Sequence, residues 1–217
     1  MRVPIAPDGW KEILLYGGGA IALGLVALPF APFAAPVCFA LGLFTIAFFR
    51  DPERRPEDPS PLAALSPADG RVTDIDVVEE PHFLGGRALR IGIFLSVLDV
   101  HVNRAPLDGT VRRVRYTPGA FLDARDPECA ARNESNLVGF ESPRGPFAVR
   151  QVAGLIARRI VCPLVEGRGV ARGERIGMIK FGSRTELLVP ADAPVDVAVE
   201  VGRRVRGGRT IVLRYRS

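Results

Sequence analysis

The chain has 217 residues, 47% of them hydrophobic, and a net charge of +5 carried almost wholly by arginine. That is room for one ordinary domain with some to spare; no aromatic-studded basic strand or nucleic-acid motif accompanies the charge, which sets nucleic acid aside and favours an anionic membrane surface as partner. Cys38, Cys129 and Cys162 are odd in number and unrelated in spacing, which argues against a disulfide framework or a metal site and for a reducing compartment.

The apolar excess is concentrated near the N-terminus. From Ile13 to Phe49 no charged residue occurs, a run well beyond the roughly 20 residues of one bilayer crossing. Pro29, Pro32 and Pro36 interrupt its middle, and each breaks backbone hydrogen bonding or restricts the residue before it. Residues 1–49 are therefore predicted as a membrane-anchoring hairpin of two short helices. Arg2 and Lys11 precede the run and Arg50, Arg54 and Arg55 follow it, which fits a cell-membrane protein with both ends of the hairpin, and the domain beyond, on the cytoplasmic side. A secretory signal peptide competes, but its apolar region is only about 7–15 residues long and ends at a small-residue cleavage site, which is missing here.

Residues 50–61, "RDPERRPEDPSP", read as a charged, proline-rich linker. From Leu62 to Ser217 short alternating or apolar runs follow one another, among them "RVTDIDVVE", "ALRIGIFLS", "GTVRRVRYTP", "ERIGMIKFG", "TELLVP" and "TIVLRYR". Asp69-Gly70, Gly85-Gly86, Asp108-Gly109 and Gly207-Gly208 punctuate them, pairs suited to tight hairpin turns. The expected domain is mainly β, a barrel or sandwich. Only "FLDARDPECAARN" and part of "RQVAGLIARRI" lack strand alternation and are predicted helical. "SPADGRVTDIDV" and "APLDGTVRRVRY" share a proline, two residues, glycine, one residue, valine pattern, which suggests two related lipoyl-like hairpins in one barrel.

Chemistry has few candidates. Histidine occurs only at His82 and His101. His101 ends an apolar strand, and a packed neutral imidazole would suit that place equally well. Asp69 lies in a turn that needs no function to explain it. Gly182-Ser183 interrupts an otherwise strand-like run, and a glycine there marks a bulge or a place of close backbone approach. A carboxylate that orients a histidine, and a histidine that takes a serine proton, form the logic of an activated nucleophile; Asp69, His101 and Ser183 offer those groups.

"SPADGRV", "FLSVLDVHVNRAP" and "KFGSRTELLVP", in that order behind an apolar segment ending "FFRDPERRP", resemble the phosphatidylserine decarboxylase family, in particular its short prokaryotic form. The resemblance spans nearly the whole chain. It implies a proenzyme that cuts itself between Gly182 and Ser183, with a β chain of residues 1–182, an α chain of residues 183–217, and Ser183 converted to a covalent pyruvoyl cofactor. It implies Asp69 and His101 as the carboxylate and base of that step, phosphatidylserine as substrate, and a two-chain product compatible with further self-association. The long form of the family carries a second histidine where this chain has Arg104, so either His101 serves twice or His82, water or another group takes one duty. Arg104 and Arg184 are candidates for holding the substrate phosphate or carboxylate. "ARNESNLVGF" also resembles a segment near the active site, without a role for Asn133 or Glu134.

Two other classes compete. A membrane-tethered serine hydrolase would keep Ser183 intact, with His101 or Lys180 as base. A non-catalytic lipoyl-like adaptor would present a lysine on a hairpin turn, and neither "ADG" nor "LDG" has one.

Overall fold

The computed structural model describes residues 4–123, 129–155, 159–180 and 183–216, in two compact units, Met1–Glu53 and Arg54–Ser217.

In the first unit, helix α1 (Pro7–Ala27) is long and apolar enough to cross a membrane. Its stretch Ile13–Gly18 is wound as a π-helix. The chain then breaks around Pro29 and Pro32, and α2 (Ala35–Phe48) starts with Pro36 in its first turn, where the missing N–H costs nothing. The two helices pack on glycine. A Cβ at Gly42 would lie 2.6 Å from Ile21, and one at Gly24 would lie 2.9 Å from Phe39, so only glycine lets the backbones come this close. The outward faces are apolar too, with Leu14, Leu23 and Leu43 exposed, as is Phe33 in the break between the helices. The hairpin forms as expected, but α2 is only 14 residues long, about 21 Å, short of a ~30 Å hydrocarbon core.

The second unit is mainly β. Its strands are β1 (Ala63–Leu65), β2 (Gly70–Glu80), β3 (Gly86–Leu95), β4 (Val102–Arg104), β5 (Gly109–Thr117), β6 (Ser135–Ser142), β7 (Gly145–Val152), β8 (Arg159–Val161), β9 (Gly169–Val170), β10 (Arg175–Lys180), β11 (Ser183–Pro190), β12 (Val195–Val197), β13 (Arg204–Val205) and β14 (Ile211–Tyr215). An eight-stranded sheet runs in the order β13-β2-β3-β11-β7-β6-β5-β9, and two three-stranded sheets run β1-β14-β12 and β4-β10-β8. The core is formed by Val72, Ile91, Ile93, Leu95, Phe140, Phe147 and their neighbours, with the Phe140 and Phe147 rings stacked 4.8 Å apart.

Several local expectations change. "FLDARDPECAARN" contributes only the single turn Cys129–Arg132 (α3), and residues 124–128 lie outside the described ones. "RQVAG" ends β7 instead of starting a helix, because Arg150 and Gln151 pair with Glu186 and Thr185 on β11. Gly85-Gly86 does close a hairpin, whereas Asp69-Gly70 and Asp108-Gly109 lead into strands from a different sheet. The segment read as a linker is pinned from Arg54 onward. Arg172 donates to the carbonyls of Asp58, Pro59, Ser60 and Ala63, and Arg214 reaches the Asp58 carboxylate at 2.7 Å.

The short sequence repeat proves to be the edge of a much larger one. β4 to β10 repeat the pairing scheme of β1 to β3 joined to β11 to β14: β4 on β10 matches β1 on β14, β5 beside β6 and β9 matches β2 beside β3 and β13, and β6 on β7 matches β3 on β11. The registers agree residue by residue. Gly70 faces Val205 as Gly109 faces Val170, and the bulge between Val72 and Asp74 recurs between Val111 and Arg113. The links between the copies are reciprocal: Arg104 N donates to Pro67 O, and Leu65 N to Pro106 O. One copy is thus inserted into the other between β3 and β11. Where the inserted copy closes a tight hairpin, pairing Ser142 with Gly145, the outer copy pairs Leu95 with Ser183.

Candidate active site

β3 ends at Leu95, β7 ends at Val152, and β11 begins between them at Ser183. Ser183 therefore stands where two strands stop and a third starts. It is fully buried, and its Oγ has no hydrogen-bond partner among the described residues. A buried orphan hydroxyl costs stability, so it fits a group retained to react. Gly182, the other half of the expected cleavage site, lies outside the described residues.

His101 comes to the same end of the sheet. It directly precedes β4, it is fully buried, and its carbonyl accepts the Ile179 N–H at 3.2 Å, near the end of the strand that leads toward Ser183. Its Nδ1 lies 2.9 Å from the Asp99 carbonyl oxygen. A carbonyl can only accept, so Nδ1 carries the proton and Nε2 is the basic nitrogen. Asp99 is braced in turn, its carboxylate accepting from Ser96 N and Oγ at 2.9 and 2.7 Å. The group that orients His101 through Nδ1 is thus a backbone carbonyl in the loop 96–101, which sequence alone did not single out.

Asp69 lies one residue beyond the row Val205, Gly70, Leu95, Ser183, at the same end of the sheet. Gly207 N donates to its Oδ1 at 2.8 Å and Arg54 to its Oδ2 at 2.7 Å. The first contact is architectural, because Asp108 makes the equivalent one with Arg172 N in the inserted copy. The Arg54 pair has no counterpart among the described contacts of Asp108.

His82 is excluded as a stand-in. It is exposed on the turn before β3, with Nδ1 2.8 Å from Arg115, and the ten residues of β3 separate that turn from Leu95, about 30 Å.

The two arginines part company. Arg104 is buried, donates to Gly173 O at 3.0 Å, and rests against Gly208, where a Cβ would lie 2.6 Å from its Cδ. Arg184 is taken up inside the protein. It forks onto Asp74 at 2.6 Å, meets Glu186 at 2.8 Å and reaches Thr73 Oγ1 at 2.9 Å. Burial pushes the Asp74 carboxyl up, but the hydrogen bonds from Arg184 and Thr73 outweigh it and hold it below the usual carboxylate range; burial likewise works against the charge on Arg184, and Asp74 and Glu186 outweigh it and hold the guanidinium firmly charged. Its donors are committed to cross-linking β2 and β11 and are not left for a headgroup. Gly92 makes the space, since a Cβ there would lie 2.1 Å from Arg184 Nη2. Gly92→Ala should push the guanidinium off half-buried Asp74 and buried Glu186 at a cost of about 3 kcal/mol, read as a fall in Tm of the purified protein.

Polar side chains stand here at positions where the other copy is apolar. His101, Asn103 and Arg104 are in register with Leu62, Ala64 and Leu65, and of the three only Asn103 was not singled out from the sequence. Asn133 acts as a clasp. Its Oδ1 accepts from Leu122 N, and its Nδ2 donates to Leu122 O and Ala153 O, which ties the chain leaving β7 to the segment before residue 124. Lys180 is buried at the end of β10. Cys38 and Cys162 are free thiols, with burial pushing the Cys162 thiol up.

Comparison with known proteins adds an independent finding. The model of the phosphatidylserine decarboxylase family matches residues 41–213. The phosphatidylserine decarboxylase proenzyme of Symbiobacterium thermophilum is 45% identical over 214 residues, covering 98% of this chain and 96% of that protein. The proenzyme of Chlorobium limicola is 40% identical over 215 residues, covering 97% and 100%, and that of Gluconacetobacter diazotrophicus is 46% identical over 207 residues, covering 92% and 90%.

Proposed function

The chain belongs to the phosphatidylserine decarboxylase family, and on that premise we propose that it is made as a proenzyme, cuts itself before Ser183, and converts phosphatidylserine to phosphatidylethanolamine and carbon dioxide. The observation that carries the site is the buried, unpartnered Ser183 hydroxyl at the start of β11, on the same end of the sheet as a histidine whose tautomer is fixed.

Ser183 Oγ attacks the Gly182 carbonyl carbon while His101 Nε2 takes the hydroxyl proton. The tetrahedral centre collapses with loss of the amide nitrogen, which takes the proton back, and an ester joins Gly182 to the Ser183 oxygen. Removal of the Ser183 α-hydrogen then expels the Gly182 carboxylate. Residues 1–182 end there, dehydroalanine is left at 183, and water converts it to a pyruvoyl group with release of ammonia. Once formed, the pyruvoyl group is the electron sink for the pair left when the headgroup carboxylate departs as carbon dioxide.

The protein's own groups do the rest. His82, about 30 Å away, takes neither duty, and we assign both the cleavage and the later proton transfer to His101, with water as the alternative donor in the second. Asp69, through Arg54 and the loop at Gly207, holds this end of the sheet in place, and Arg104, three residues after His101, is the arginine we assign to an acidic headgroup. The apolar faces of α1 and α2 lie in the bilayer, with the β unit on its cytoplasmic side, where the substrate is reached without leaving the membrane. The intact mass of the purified wild-type protein tests the reading. Two pieces, residues 1–182 and a blocked fragment of 183–217, are expected; one whole chain with an ordinary serine would favour a hydrolase using Ser183 with His101 or Lys180.

A further inference from the structure

Four buried polar side chains connect the strand after His101 to the strand that begins with Ser183. Asn136 Nδ2 donates to Gln151 Oε1 at 3.1 Å, Gln151 Nε2 to Asn103 Oδ1 at 2.9 Å, and Asn103 Nδ2 to Thr185 Oγ1 at 2.9 Å. Each is at most 4% exposed. The chain crosses β6, β7, β4 and β11, and it touches β4 two residues after His101 and β11 two residues after Ser183. Gly177 leaves room for it, since a Cβ there would lie 3.0 Å from Gln151 Nε2.

The duplicated architecture shows what these positions require when only packing is asked of them. By register, Asn103 corresponds to Ala64, Gln151 to Val189, Asn136 to Leu89 and Thr185 to Phe147. All four counterparts are apolar and lie in or against the core. Ala64, Val189 and Leu89 of the outer copy and Phe147 of the inserted copy therefore hold the equivalent backbone with no such hydrogen bonds. Burying linked amides in place of hydrocarbon brings little net stability and is costly wherever one link is imperfect. Amide-to-amide bonds do, however, fix distance and angle between strands more sharply than apolar contact, because each bond is directional.

We propose that Asn136, Gln151, Asn103 and Thr185 form a positioning chain that sets the His101 strand against the Ser183 strand for self-cleavage. Among the described residues, none of the four hydrogen-bonds the Ser183 hydroxyl. Thr185 and Asn103 couple the two strands directly, and Gln151 and Asn136 hold the Asn103 amide in the orientation that points its N–H at Thr185. The inference rests on the self-cleavage reading.

The test puts an apolar residue at all four positions, at three of them the residue that the outer copy itself carries. In the full-length protein, Asn103→Ala, Gln151→Val, Asn136→Leu and Thr185→Val are introduced together, so that no partner is left unsatisfied, and processing is followed by gel alongside thermal unfolding. The expected result is a Tm equal to or above that of the wild type with cleavage slowed tenfold or more, a separation that a merely structural role would not produce. Thr185→Ser, which keeps the acceptor oxygen, should process within about twofold of wild type, while Thr185→Val alone, which leaves the buried Asn103 N–H unpaired, should stay folded with a lowered Tm and process slowly; this pair decides the matter if the fourfold variant fails to fold. Wild-type cleavage rates in both the fourfold variant and Thr185→Val would overturn the positioning chain. A wild-type protein that stays whole would instead sink the self-cleavage reading, and this inference with it.

Discussion

Ser183→Ala is expected to leave a single chain of 217 residues with no decarboxylation above background. The substitution removes one oxygen atom from a fully buried site where that oxygen has no hydrogen-bond partner among the described residues. Loss of an unpartnered hydroxyl relieves a desolvation cost, so the variant should fold at least as stably as the unprocessed wild type. That separates chemistry from folding: any loss of function comes from the missing nucleophile. A gel and an intact mass read the first part, and release of labelled carbon dioxide from phosphatidylserine vesicles reads the second. Processing in Ser183→Ala would mean that cleavage uses another nucleophile and would remove the central residue of the mechanism.

His101→Ala should slow processing by about 10²- to 10⁴-fold, the usual worth of a positioned general base. The histidine is buried and braced through Asp99 and Ser96, so His101→Gln, closer in volume, serves as the control for packing. Asp69→Asn and Asp108→Asn sharpen the comparison. Both remove a carboxylate that accepts a backbone N–H from the facing loop, Gly207 in one copy and Arg172 in the other. If Asp69 acts through its Arg54 pair at the catalytic end, only Asp69→Asn slows processing. Equal effects in both would reduce Asp69 to an architectural turn residue.

Much of this was legible in the sequence, for definable reasons. The proline-broken apolar run, the Gly85-Gly86 hairpin and the alternating strands are local patterns, and local patterns survive into the fold. The β6–β7 hairpin was missed because Pro143 and Arg144 are not a standard turn pair, although Gly145 behind them takes a φ of +99°. Arg184 was misjudged because its partners Asp74 and Glu186 only meet it once β2, β3 and β11 lie side by side, information carried by register and not by neighbours in sequence. The role of Asp99 was hidden differently: its backbone oxygen orients His101, and no residue type advertises a carbonyl. The polar chain through Asn103 could not stand out either, since its significance appears only against the apolar residues of the other copy.

The insertion of one copy inside the other also determines what a cut at residue 183 would do to the molecule as an object. The expected fragment 183–217 is not a tail that could drift away. Its first strand lies between β3 and β7, β13 pairs with β2, and its last strand pairs with β1, so it is held to the larger piece in two sheets. Severing the chain there frees one end of each copy, the start of β11 in the outer one and the stretch after β10 in the inserted one, at the place where the twin has a hairpin loop, while Leu95 stays joined to the inserted copy. Separation of the fragments would require unfolding the whole unit, so the two pieces should behave in solution as one body whose seam shows only under denaturant.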